Sequence, residues 1–204
     1  MKFNYDLKSK VILTDCDGVL VDWCYGFHSW MKRVHSLEPM AEEAYEMEVV
    51  YGLAKDTMKE YVRSYNASAD IAYLKPLNDA VKYVKKLHEE CGFVFHCITS
   101  LSLDPAAQKA RIYNLEQLFG TTAFEKVICL DTGEDKIDAL TPYIDTECVW
   151  VEDKIENADL GVNFGLNTFL IAHDFNAGYK GGAIRVPNWK YIYEVITGGY
   201  YGAL

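Results

Sequence analysis

Asp15 and Asp17 stand two residues apart, directly behind an apolar, β-favouring run (Val11, Ile12, Leu13, Thr14). Strand alternation places both carboxylates on one side of the chain, and Gly18 lets the backbone turn tightly beside them. Two carboxylates at the end of a buried strand are costly unless a cation or hydrogen-bond donors compensate them, and a divalent metal would do so. The plainer reading is a strand running into an acidic turn, where Asp-Gly is common. Three further places collect polar side chains after apolar runs or at a helix start: Thr99-Ser100, Lys136 and Glu152-Asp153. Taken singly, Thr99 is a local backbone partner, Lys136 a solvated lysine, and Glu152-Asp153 a helix cap. Asp15 and Asp17, Thr99 and Ser100, and Glu152 and Asp153 make three polar strand endings, much harder to assign to chance than one.

These residues need elements to hold them. Residues 11–14, 93–98, 126–130, 148–151 and 168–171 read as strands, the apolar ones as strands buried on both faces. Helices are predicted over residues 77–87, 105–119 and 189–195, and from Lys136 to about Tyr143, with Asp104-Pro105 opening the second and Gly120 closing it. Between the first strand and Pro76 the pattern is helical only. Asp22 can cap a helix with Trp23, Phe27, Trp30, Met31 and Val34 on one stripe, and stretches over 40–50 and 55–63 follow. The expected architecture is a doubly wound, Rossmann-like parallel α/β sheet, with a core from residues 1–21 and 75–204 and a small helical cap over 22–74. Ligands bind such sheets beyond the carboxyl ends of the strands, where the polar residues are predicted to gather. The Gly- and Tyr-rich end, from Gly198 onward, carries no assignable pattern.

Composition narrows the partners. The chain has 204 residues, half of them hydrophobic and a quarter charged, with a formal net charge of −10. That balance argues against extended nucleic acid, which needs clustered Lys and Arg, but leaves room for a small anionic substrate. No stretch approaches the length of a membrane span and no basic, then apolar, leader opens the chain, so a cytoplasmic location and no membrane partner are expected. Six cysteines without a CxxC pair fit buried reduced thiols rather than a disulfide or zinc framework. Cys16 is expected to point away from its flanking aspartates, and His96 and His173 to be structural. A monomer or homodimer is expected.

Taken together, Asp15-Cys16-Asp17-Gly18-Val19, Thr99 after its strand, Lys136 at a helix start and Glu152-Asp153 after Val149-Trp150-Val151 resemble, in order, the four motifs of the haloacid dehalogenase superfamily of phosphohydrolases. Within it, residues 15–27 (DCDGVLVDWCYGF), 73–77 (YLKPL), 97–100 (CITS) and 189–192 (WKYI) are similar to the 5′(3′)-deoxyribonucleotidases. The resemblance implies a magnesium-dependent phosphomonoesterase acting on a small phosphorylated substrate, a deoxynucleoside monophosphate in the first instance. It makes Asp15 the nucleophile and Asp17 the acid–base. It places Mg²⁺ on Asp15, Asp17 (through its carbonyl) and Asp153, and phosphate on Thr99, Ser100 and Lys136. An additional phosphate contact falls on Lys109 or Arg111, which the sequence leaves open. Asn157 could orient Asp153 or Lys136. Trp23 aligns with an aromatic of that family and would form one wall of a base pocket. Phosphoryl transfer suits these residues, since it asks mainly for alignment and charge neutralisation. The alternatives are a phosphatase for a sugar phosphate or other small metabolite, a catalytically silent binding module, and, disfavoured by the acidic balance, a nucleic-acid end-processing phosphatase.

Overall fold

The computed structural model describes residues 9–41, 44 and 46–198. Six parallel strands form one sheet in the order β3-β2-β1-β4-β5-β6, with β1 Val11–Thr14, β2 Val94–Ser100, β3 Phe124–Leu130, β4 Val149–Glu152, β5 Asn167–Ile171 and β6 Ile184–Val186. β1 is central because it is apolar on both faces: Ile12 joins the larger core with Phe95, Phe169 and Trp189, while Leu13 joins the opposite one with Ile98, Leu140 and Trp150. Its two neighbours pair in register, Thr14 with Cys97 on β2 and Thr14 with Val151 on β4. The chain order reverses on either side of β1, and its carboxyl end is the switch point where such sheets bind ligands.

Helices α1 Trp23–Trp30, α2 Met47–Tyr51 and α3 Lys55–Asn66 follow β1, before α4 Ala80–Glu89, α5 Pro105–Phe119, α6 Ile137–Leu140, α7 Ile155–Asn163 and α8 Trp189–Ile196. Asp22 caps α1 by accepting from the Tyr25 amide, and Asp104 caps α5 by accepting from the Ala106 amide with Pro105 behind it. Among the described residues no strand interrupts residues 22–74, and Phe27, Met31 and Tyr65 from that segment are fully buried in the larger core. α8 is pinned at its start by Asp79, which accepts from the Trp189 and Lys190 amides, and by the Trp189 indole, which donates to the Val19 carbonyl at 2.8 Å.

Three sequence readings change here. The helix expected over residues 40–50 is helical only from Met47; residues 42, 43 and 45 lie outside the described residues, as do 1–8 and 199–204. Val34, placed on the apolar stripe, is exposed, because a π-helical turn over Met31–His35 rotates it outward. The third edge-side strand, β6, was not read from the sequence at all. No helix among the described residues is long and apolar enough to cross a membrane.

Candidate active site

The carboxyl end of β1 opens into the acidic pair. Asp15 continues the sheet through its amide, which donates to the Val151 carbonyl at 2.9 Å, and its Oδ1 accepts from the Cys16 amide at 2.7 Å. Its other oxygen meets the Lys136 ammonium at 2.8 Å. Lys136 sits at the start of α6, almost fully buried, and on its far side contacts Glu152 at 2.9 Å. Glu152 also accepts from the Asp153 amide at 2.7 Å and from the Asn157 side chain. One ammonium therefore lies between two buried carboxylates. Burial opposes the lysine charge, but Asp15 and Glu152 outweigh it and hold its pKa above the ordinary range. For Asp15 the balance goes the other way: burial, then Glu152, raise its pKa to about 8 despite Lys136. Burial also acts on Glu152, yet the Lys136 charge and three donors keep it below the ordinary carboxylate range.

Asp17 does not share Lys136. A single guanidinium nitrogen of Arg111 lies 2.7 and 2.9 Å from its two oxygens, and a second donates to Cys16 Sγ at 3.0 Å. Of the two residues the sequence left open, Arg111 is fully buried on α5 and contacts Asp17, whereas Lys109 is exposed. Burial raises the Asp17 pKa, and Arg111 only partly offsets it. Cys16 is buried as expected, but it is not remote from the chemistry: through Arg111 it is linked to Asp17.

The remaining candidates divide. Thr99 is buried at the end of β2 and its hydroxyl has no hydrogen-bond partner, an orphaned polar atom beside the end of β1. Ser100, by contrast, donates to the Glu134 carbonyl at 2.8 Å. Asp153 follows β4, and burial, then Glu152 and Asp15, push its pKa well above the ordinary value. One oxygen from each of Asp15, Glu152 and Asp153 lies within 4.8 Å of the others. Gly18, with φ +72°, closes over this group: a Cβ there would stand 2.1 Å from Asp153 Oδ2. Among the described residues, Lys136 and Arg111 are the basic side chains paired with Asp15, Asp17 and Glu152, and His173 Nε2 lies 3.9 Å from Asp153 Oδ2. Hard oxygen donors in charge excess, with an unpartnered hydroxyl alongside, fit a divalent cation such as Mg²⁺. Asn157 serves Glu152 rather than Asp153. Trp23 stacks on Phe27, with ring centroids 4.7 Å apart, and its indole nitrogen donates to Asn66 at 2.9 Å. One face of the indole and its only donor are thus already engaged.

Two contacts go beyond the sequence reading, which names Glu152 beside Asp153 and leaves His173 structural. Glu152 is the partner of Lys136, and His173 donates to the Gly18 carbonyl at 2.7 Å. A lysine that far from its partner, and a lone histidine, leave no local pattern to detect.

No protein-family model matches the sequence. Among curated proteins, the chain is 29% identical over 124 residues, 58% of its length, to a 32.4 kDa protein of the Gp30–rIII intergenic region of Enterobacteria phage T4. It spans 44% of that protein's length, less than half. Solved structures match much more of it. A haloacid dehalogenase-like hydrolase from Streptococcus pneumoniae covers 89% of this chain and 95% of its own at 18% identity, with a TM-score of 0.63. The fold is that of the haloacid dehalogenase superfamily. The L-2-haloacid dehalogenase of Xanthobacter autotrophicus, with chloropropionic acid covalently bound, shares this fold over 93% and 98% of the two chains at 13% identity and TM-score 0.60. So does the D,D-heptose 1,7-bisphosphate phosphatase of B. bronchiseptica, complexed with magnesium and phosphate, over 94% and 100% at 11% identity and TM-score 0.60. In this fold Asp15, Thr99 and Asp153 lie at or just beyond the ends of β1, β2 and β4, and Lys136 reaches Asp15 from the start of α6.

Proposed function

We propose that this chain is a metal-dependent phosphomonoesterase that works through an aspartyl-phosphate on Asp15. The observation that carries the reading is the Lys136 ammonium held between Asp15 and Glu152 at the ends of two adjacent strands. Lys136 is placed to offset charge on a phosphoryl group brought up to Asp15, and the unpartnered Thr99 hydroxyl is free to donate to one of its oxygens. Asp15 Oδ attacks phosphorus and the bond to the leaving oxygen breaks. Asp17, whose raised pKa favours the protonated form, gives that oxygen its proton. Asp17 then takes a proton from water as the water displaces Asp15 and frees phosphate. Arg111 keeps Asp17 in one orientation through both steps. Asp15, Asp153 and the Asp17 carbonyl are the groups that would hold Mg²⁺, which when bound would neutralise phosphoryl charge.

The substrate class follows less directly. The cap over residues 22–74 would select what the phosphate is attached to, with a deoxynucleoside monophosphate first and a sugar phosphate second. The half-buried Trp23 supports a base-facing role only on the side Phe27 leaves open.

The test is a phosphate-release screen with Mg²⁺ over nucleoside monophosphates, sugar phosphates and p-nitrophenyl phosphate, with 2-chloropropionate as a halide-release control. Asp15→Asn is run beside the wild type. Phosphate release that disappears in the variant supports the reading; halide release without phosphate release overturns it.

A further inference from the structure

The short turn after β5 grips both halves of the acidic site. His173 Nε2 faces the Gly18 carbonyl at 2.7 Å; that oxygen can only accept, so Nε2 carries the proton. The ring lies flat against Phe175, with centroids 5.0 Å apart and planes within 5°, which fixes its direction. Three residues on, Asn176 is fully buried and uses its whole side chain. Its amide donates to the carbonyls of Asp153 at 2.9 Å and Ile171 at 2.8 Å. Its oxygen accepts from the His173 amide at 3.0 Å and Arg185 Nε at 2.9 Å. Arg185, on β6, also donates to the His173 carbonyl at 3.0 Å.

The two loops held in this way carry different parts of the site. Gly18 directly follows Asp17, and its carbonyl is bound by His173. Asp153 is anchored through its own carbonyl by Asn176. Gly18 and Asp153 must also stay in register with each other, since a Cβ at Gly18 would overlap Asp153 Oδ2. The turn thus sets the distance between the Asp17–Gly18 peptide and the Asp153 carboxylate. A buried asparagine with all four bonds made is an ordinary way to stabilise a turn. A histidine reaching across 155 positions to a backbone carbonyl in the catalytic loop is not needed for that.

We propose that His173 and Asn176 are positioning residues that hold the Asp17–Gly18 loop and Asp153 at the spacing a divalent cation requires, with Arg185 bracing them from the sheet edge. The proposal rests on the metal-dependent reading above. Groups that orient ligands from behind typically account for about 10–100-fold in metal affinity.

The test uses Mn²⁺ as a paramagnetic probe, with free Mn²⁺ measured by electron paramagnetic resonance on the full chain stripped of metal. His173→Phe keeps the stacking on Phe175 and removes the donor; His173→Gln places an amide N–H where Nε2 stands. The wild type is expected to bind Mn²⁺, His173→Phe to bind it about 10-fold more weakly at an unchanged melting temperature, and His173→Gln to regain most of the loss. Arg185→Met, which loosens the turn without approaching the carboxylates, is expected to weaken binding by a smaller factor. Equal Mn²⁺ affinity in wild type and His173→Phe, or a loss that His173→Gln does not recover, would overturn the proposal. A wild type that binds no Mn²⁺ would instead remove the metal reading on which it stands, and the two failures are told apart by the wild-type titration alone.

Discussion

Replacing Lys136 with Met tests the centre of the site most directly. Met has a similar length and no charge, so the variant strands Asp15 and Glu152 in a buried setting without opening a large void. Removing one partner of a buried ion pair typically costs about 3–5 kcal/mol. Here the two carboxylates respond differently. Asp15, with a pKa of about 8, is already largely protonated in the metal-free fold at pH 7, and without Lys136 it stays so. Glu152 is the one held ionised, below its ordinary range, by the lysine. The loss at pH 7 is therefore expected near the lower end, about 3 kcal/mol, or roughly 6–12 °C in melting temperature for a chain of this size. It should widen above pH 8, where Asp15 ionises against Lys136 in the wild type only, and narrow as pH falls, because without Lys136 burial raises the Glu152 pKa and lets it take a proton sooner than in the wild type. Thermal denaturation of both proteins in chelator at pH 5, 7 and 8.5 reads this out. With metal restored, kcat should fall by about 10²–10³-fold, the scale of losing one preorganised cation at developing charge. A variant that melts within about 2 °C of wild type at pH 8.5 would refute the idea that Lys136 is what keeps these carboxylates folded together.

Metal binding should displace a proton. With the Asp15 pKa raised to about 8 and that of Asp153 raised as well, Mg²⁺ binding should release at least one proton and tighten by about tenfold or more per pH unit below pH 8. Calorimetry in two buffers of different ionisation enthalpy measures it, and pH-independent affinity would contradict the assignment. Without metal, the same raised carboxylate makes stability fall as pH rises from about 4 towards 8, because the folded protein holds a proton that unfolding releases and rising pH favours that release. Gly18→Ala should abolish activity and Mn²⁺ binding together, since its Cβ would stand 2.1 Å from Asp153 Oδ2 on a backbone at φ +72°. Normal Mn²⁺ binding there would show that the loop can move freely. Arg111→Met removes the charge that opposes burial at Asp17, so the alkaline limb of the kcat–pH profile should move upward. An unmoved limb would detach Asp17 from proton transfer to the leaving group.

The strands that carry the site were legible because each is a short apolar run cut off by polar residues, as in Val149-Trp150-Val151 before Glu152-Asp153. Lys136 was legible as a helix start, and α6 does begin at the next residue. Lys109 and Arg111 could not be separated, because residues two apart on a helix face nearly opposite sides, and only packing shows which side is inward. β6 has three residues, too few for alternation to register, and exists because β5 offers it an edge. Glu152 and Asp153 are chemically alike and adjacent. Which one turns towards Lys136 depends on strand pleat at the last residue of β4, where a one-residue difference reverses the answer. His173 carried no signal because its partner, Gly18, is remote in sequence and contributes only a carbonyl.

The pairing of β1 with β4 has a consequence for how the protein comes into being. Thr14 and Val151 are well over a hundred residues apart along the chain, yet the Asp15 amide donates its backbone hydrogen bond to the Val151 carbonyl. Contacts so distant in sequence must await the loop-closure entropy of everything between them, so they form late in folding. During synthesis, β1 can pair with β2 once residue 97 has emerged, but Glu152 and Asp153 are still unmade. At about 5–20 residues per second, several seconds pass in which Asp15, Asp17, Arg111 and Thr99 can be assembled beside a β1 edge that has no neighbour. That bare apolar edge, held open until β4 arrives, is the point at which a nascent chain of this fold is most exposed to pairing with the wrong strand.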